Sequence, residues 1–219
     1  MKRILAAIML LCVTLFLFPS IGSAQSKQQG VDILKQANVL RAEARSMGDL
    51  ENALKKYEEA LNIFQTVGAD REKGVTLNNV GLIYNSRGQF QTALEYYEKS
   101  LSIMQKIVDI EQEGVTLNNI AVVHDSMGRY QKALEYYDKS LAITLKTGDM
   151  KLQGTTLGNI GWVYKSMGQY QTALEYFENS LAVTNKIGDI EQEGATLNYI
   201  AVVHDSMGQY QKALGVCRT

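Results

Sequence analysis

Proline is almost missing from this chain. The single one is Pro19, and nothing from Ser20 to Thr219 repeats it. No later helix meets a residue that lacks an amide N–H and crowds the preceding turn. Cysteine is as scarce, with only Cys12 and Cys217, which excludes a framework of intrachain disulfides. Histidine occurs twice, at 124 and 204, and tryptophan once, at 162. No Cys/His cluster, Gly-rich phosphate loop or nucleophile elbow appears, so metal, phosphate-cradle and acyl-transfer chemistry lack their parts. Charge is nearly balanced, 22 basic against 23 acidic residues, which argues against a nucleic-acid binder. There is one long uncharged run, Ile4 to Phe18, and its 15 residues are short for a bilayer core of about 30 Å.

That run follows Lys2 and Arg3 and leads through Pro19 to Gly22, Ser23 and Ala24. This is the layout of a secretory signal peptide over 1–24, with cleavage between Ala24 and Gln25. An uncleaved anchor is the alternative. Cys12 does not fit a lipoprotein site, because Leu11 stands where a small side chain is expected. Cleavage removes two bases and no acid, taking the net charge from −1 to −3 and leaving Cys217 as the only thiol. The expected location is periplasmic or secreted.

What the chain does contain is itself, repeated. Leu77-Asn-Asn-Val-Gly81 is followed 40 residues later by Leu117-Asn-Asn-Ile-Ala121, then by Leu157-Gly-Asn-Ile-Gly161 and Leu197-Asn-Tyr-Ile-Ala201. Gly48, Gly88, Gly128, Gly168 and Gly208 keep the same step, as do Ala53, Ala93, Ala133, Ala173 and Ala213. A fixed period of this length means stacked supersecondary units, none of which can bury its apolar face alone. The array is expected over 25–219, with repeats near 33–73, 74–113, 114–153, 154–193 and 194–219.

One copy shows the physics. Asp109 suits a helix N-cap, with Gln112 at the capping-box position. Leu117, Ile120, Ala121 and His124 recur on one helical face. Gly128 tolerates the positive φ that ends a helix. A second helix starts near Tyr130 and buries Ala133, Leu134, Tyr137, Leu141 and Thr144, and Thr147-Gly148-Asp149 closes it. The acidic stretches at 109–113 and 189–193 read as helix starts complementing the dipole rather than cation sites.

Val80-Gly81, Tyr84, Gly88, Phe90, Ala93, Tyr97 returns as Ile160-Gly161, Tyr164, Gly168, Tyr170, Ala173, Phe177. This pattern resembles the tetratricopeptide repeat, in the lengthened form of kinesin light chains, G-protein-regulator scaffolds and secreted bacterial arrays. The resemblance runs from about Ile33 to Leu214. It implies an all-α fold, an α-solenoid of about five helix-turn-helix repeats forming a right-handed superhelix. It also implies a non-catalytic protein-interaction scaffold with no cofactor. Two features depart from the pattern: His124 and His204 replace the aromatic of the first helix, and the first copy is worn at Ala37, Arg41 and Ala44. Both histidines are expected to be core substitutes bonded to a neighbour, about 15–20 Å apart and unable to share a metal. Asp109–Leu134 and Asp189–Leu214 differ at three positions of 26, which adds an 80-residue unit and suggests a recent duplication.

In the family, the face of the first helix opposite the core lines a concave groove. The positions carried over are Asn78, Asn118 and Asn198, with Asn79, Asn119 and Asn159 beside them. One turn on come Leu82, Val122, Trp162 and Val202, and further along Asn85, Asp125, Lys165 and Asp205. Asparagine offers both donor and acceptor, so these rows could bond the backbone of an extended peptide while the apolar row takes its side chains. The competing reading is that each asparagine bonds the neighbouring helix and stiffens the stack. The expected partner is a protein or peptide, not nucleic acid or, after cleavage, membrane. Two rival functions stand beside it: an assembly module working through the ends of the stack, and a remnant of a larger protein. The repeat pattern breaks after Leu214 into Gly215-Val-Cys-Arg-Thr219. Fraying from about Gln209, self-association there and an intermolecular Cys217 disulfide are expected.

Overall fold

The computed structural model describes residues 2–216, with side chains from Gly22 onward; Cys217 and the side chain of Cys12 lie outside the described residues. The described residues form α1 (Lys2–Ala42), α2 (Met47–Val67), α3 (Asp70–Ser86), α4 (Phe90–Ile107) and α5 (Ile110–Ser126), then α6 (Tyr130–Thr147), α7 (Met150–Ser166), α8 (Tyr170–Ile187), α9 (Ile190–Ser206) and α10 (Tyr210–Val216). Odd helices pair with the even helix that follows, and each pair packs on the next. Odd helices also touch the next odd helix. The result is a one-dimensional all-α solenoid. Counted by helices, the inner repeats begin at the N-cap residues 69, 109, 149 and 189.

The boundaries follow from local chemistry. Asp109, Asp149 and Asp189 accept from the amides of Gln112, Leu152 and Gln192 at 3.2, 2.9 and 3.1 Å. The complete capping box sits in the first repeat, between Ser46 and Asp49. Gly48 of the first repeat lies inside α2, whereas Gly88, Gly128, Gly168 and Gly208 turn the chain at positive φ within the second to fifth repeats. Gly68, Gly148 and Gly188 do the same between repeats, but the fourth such position holds Val108, at φ 60°.

The core repeats as the sequence does. Tyr57, Tyr97, Tyr137 and Phe177, one each on α2, α4, α6 and α8, are fully enclosed. Gly81 is small because Tyr97 needs the space: a Cβ there would lie 2.6 Å from the ring. Three parallel stacks join α3 to α4, α5 to α6 and α7 to α8: Tyr84 on Tyr96, His124 on Tyr136 and Tyr164 on Tyr176, centroids 5.3–5.5 Å apart. Ser100, Ser140 and Ser180, which sequence reasoning passed over, are buried and donate to the carbonyls of Gly74, Gly114 and Gly154 at 2.8–2.9 Å. Ion pairs tie Lys27 to Glu72, Arg71 to Asp109 and Lys151 to Asp189 across neighbouring repeats. Among the described residues no helix is long and apolar enough to cross a membrane.

Candidate functional site: the odd-helix face

The odd helices carry the asparagine rows, and helical geometry alone does not say what those amides meet. Asn79 donates to Oδ1 of Asn38 at 3.0 Å, Asn119 to Asn78 at 3.1 Å, and Asn159 to Asn118 at 3.3 Å. Each bond crosses one repeat and falls 41 residues back. Asn78 and Asn118 are buried, not presented to solvent. Asn118 also accepts from Thr156 at 3.2 Å, and Asn38 from the Tyr57 hydroxyl at 2.7 Å. The stiffening reading is therefore realised at these three steps. Asn79, Asn119 and Asn159 are partly exposed, and each spends one amide hydrogen this way. Their own carbonyl oxygens carry no bond among the described residues. Each of these side chains thus joins two helices through its amide hydrogen and keeps an unbonded acceptor.

The ladder stops after Asn159. Its next rung would join Gly158 to Tyr199, and neither side chain can continue it. There the chemistry changes from amide to aromatic. Trp162 is 37 % exposed, and Tyr199 lies tilted against it at 5.3 Å between centroids. Tyr199 in turn meets the buried Phe177 at 5.5 Å, so the platform is rooted in the core. The Lys165 ammonium sits 4.5 Å from the Trp162 ring centre, within cation–π range. Tyr199 ends the row of Asn79, Asn119 and Asn159 on this face, and sequence reasoning missed its contact with Trp162. Its signal in the sequence was the loss of asparagine at one step of an otherwise regular row.

The remaining expected residues spread along the same face. Leu82, Val122 and Val202 are half-buried at the positions equivalent to Trp162, while Asn198 and Asp205 are exposed. Asn85 keeps its Oδ1 buried without a partner. Asp125 is half-buried, and burial raises its carboxyl above the ordinary carboxylate range. Of the two histidines expected in the core, His124 is buried and His204 is only partly so, and only His204 finds the expected bond. His204 Nδ1 lies 3.0 Å from Gln209 Oε1. His124 is buried with Nδ1 unpartnered, because Arg129, which has no acceptor, replaces the glutamine. Among the described residues no three acidic, His or Cys side chains are placed to hold a metal.

Similarity to known proteins runs through the whole stack. No curated protein matches the chain. Among solved structures it is similar to BtubC from P. vanneervenii, at TM-score 0.71 and 20% identity over 90% of this chain and 85% of that one. Apo RapI gives TM-score 0.73 and 20% identity over 87% and 68%. A Rap protein complexed with Competence and Sporulation Factor gives 0.70 and 20% over 87% of this chain and 50% of that one. At such identities the likeness speaks for the fold. The chain spans about half of that last protein. A family model described as tetratricopeptide repeat matches in four overlapping registers, 37–106, 74–146, 112–186 and 152–216. With helix pairs, Gly turns and small-residue contacts repeating at every 40th position, the chain belongs to the tetratricopeptide repeat family.

Proposed function

We propose that this protein is a non-catalytic scaffold that binds a peptide or helix along the odd-helix face. One observation carries the reading: Trp162, exposed in a row otherwise made of aliphatic side chains, braced by Tyr199 and Lys165 beside amides with unused acceptors. Rings held this way lose little freedom on binding and dominate interface energetics. The likeness in fold to a Rap protein complexed with Competence and Sporulation Factor, and to a Rap regulator in complex with the Phr* peptide, supports the same reading. Trp162 is the sole tryptophan, so its fluorescence reports on the site directly. A random twelve-residue peptide library panned on the protein is expected to give binders that shift this emission. Trp162→Ala should cost them about 2 kcal/mol or more while helix content holds. Binders that leave both the emission and the Trp162→Ala affinity untouched would place the site elsewhere.

Export accompanies this reading. Gly22 to Gln25 are exposed, and the first buried residue of the array is Gly30. Cleavage after Ala24 would leave the stack intact, including the Lys27–Glu72 pair. Mass spectrometry should find a mature start at Gln25, or its pyroglutamate; a soluble chain still beginning at Met1 would end the proposal.

A second reading has its own observation. Tyr210 and Leu214 are 64% and 53% exposed, where the equivalent Leu174 is 7%. With Ala201, Val202, Asp205 and Ala213 they line an apolar pocket of about 430 Å³. Self-association through this face would be lost in Leu214→Glu, and sedimentation would show it; a concentration-independent monomer would remove the reading.

A further inference from the structure

Two half-buried charged side chains on the odd-helix face, Arg41 and Asp125, have neither a counter-ion nor a ring partner among the described residues; Arg45 and Asp205 are also unpaired, but they are exposed to solvent. Arg41, at a position that is glycine or alanine in every later repeat, lies on α1 on the face that carries Asn38 and Arg45. Burial raises the Tyr57 and Tyr97 hydroxyls above the ordinary tyrosine range, and the Arg41 charge opposes that rise. No carboxylate pairs with it among the described residues. Arg41 Nε, the Tyr97 hydroxyl and Asn85 Oδ1 are all buried without a hydrogen-bond partner, and the Tyr97 side chain is wholly enclosed. Polar groups in this state ordinarily find a partner, and the Asn85 amide can present either end.

The second charge is Asp125, two odd helices further on. It is half-buried, with the Tyr137 hydroxyl as its electrostatic neighbour. No cation pairs with it among the described residues. Lys165, the next charge along the row, lies over Trp162 instead. Of the half-buried groups, the face therefore holds an unmatched cation at one end, an unmatched anion at its centre and an aromatic platform beyond.

We infer that the face selects a dipolar ligand: an extended peptide with an acidic side chain at Arg41, a lysine or arginine at Asp125 and an apolar side chain at Trp162. This rests on the peptide-binding reading above. Spacing follows from the stack. Neighbouring helices lie about 8–10 Å apart, so Arg41 and Asp125 are about 16–20 Å apart. An extended chain advances about 3.3 Å per residue. The acidic and basic residues then stand about five or six apart, with the apolar one about three beyond the base. A ligand of this kind would be steered by both charges and would pay less to desolvate each.

The test uses the full chain and the random twelve-residue library. Enriched sequences are expected to carry the acid, base and apolar residue at these separations. Arg41→Gln should erase the preference for the acid and Asp125→Asn that for the base, each weakening the wild-type consensus peptide roughly ten-fold or more. Arg41→Lys should keep the acid preference, and circular dichroism should show all variants folded. Enriched peptides without the charge pair, or a pair that persists in both neutral variants, would overturn the inference. If binders ignore charge but are lost in Trp162→Ala, the dipolar ligand falls and the groove stands. If nothing binds, or Trp162→Ala enriches the same set, both fall.

Discussion

Val108 is a β-branched residue in the left-handed region, 75% exposed, at the one inter-repeat cap that lacks glycine. That conformation costs a side chain about 1–2 kcal/mol. Val108→Gly should therefore stabilise the protein by about 1 kcal/mol, read as a higher urea midpoint with an unchanged slope. His124 offers a natural comparison with its copy at 204, which is less buried, has no stacked ring and has Gln209 as its partner. Burial, with Lys132 and Arg129 nearby, holds the His124 pKa below 6.5. The unfolded chain then takes the proton more readily than the folded one. Stability is full above about pH 6.5 and falls as the pH drops below it toward the depressed value. Arg129→Gln should supply the acceptor that His204 enjoys, adding about 1 kcal/mol at neutral pH and shallowing the acid loss in denaturant titrations. Capping at Asp109 and the turn at Gly128 were readable because each depends on two or three adjacent residues. The orphaned His124 was not, because it needs the fold to bring residue 129 against residue 124.

At the scale of elements, the 40-residue period was enough to place the helix pairs of the array, since apolar spacing and Gly turns are local properties. The use of the asparagines was not local. A helical wheel gives a side chain's direction about its own axis, not the distance to the neighbouring helix, and the amide bonds join residues 41 apart. This makes Asn118 and Asn198 unequal despite their equal sequence positions. Asn118 is buried and accepts twice, so Asn118→Ala should cost about 1–3 kcal/mol. Asn198 is exposed, and Asn198→Ala should change stability by no more than about 0.5 kcal/mol. Thermal melts of the two variants separate the cases. Likewise the Trp162–Tyr199 platform was half legible: the tryptophan stood out in its row, but its contact with Tyr199 depends on how α7 meets α9.

In the whole molecule each repeat touches only its neighbours, so stability is distributed as local terms and interfaces rather than one core. The last element holds least. α10 has seven residues and none is buried, whereas Ala173, Leu174 and Phe177 on α8 are enclosed. Hydrogen exchange should find Tyr210–Leu214 opening well before α5–α8; equal protection across both would contradict this.

The ion pairs between repeats carry a mechanical meaning. Arg71 reaches Asp109 at 2.7 Å and Lys151 reaches Asp189 at 3.8 Å, but the joint between them sets Glu111 at the position of those bases and Asp149 at that of the acids. Three joints thus carry an ion pair, Lys27–Glu72 among them, while the joint between α5–α6 and α7–α8 is closed by the neutral bonds to Asn118. Added salt screens charge pairs and leaves amide bonds almost untouched. Treated as an elastic body, the solenoid is a spring of unequal joints, softening with ionic strength where the ion pairs lie and least where amide and hydroxyl bonds alone hold it.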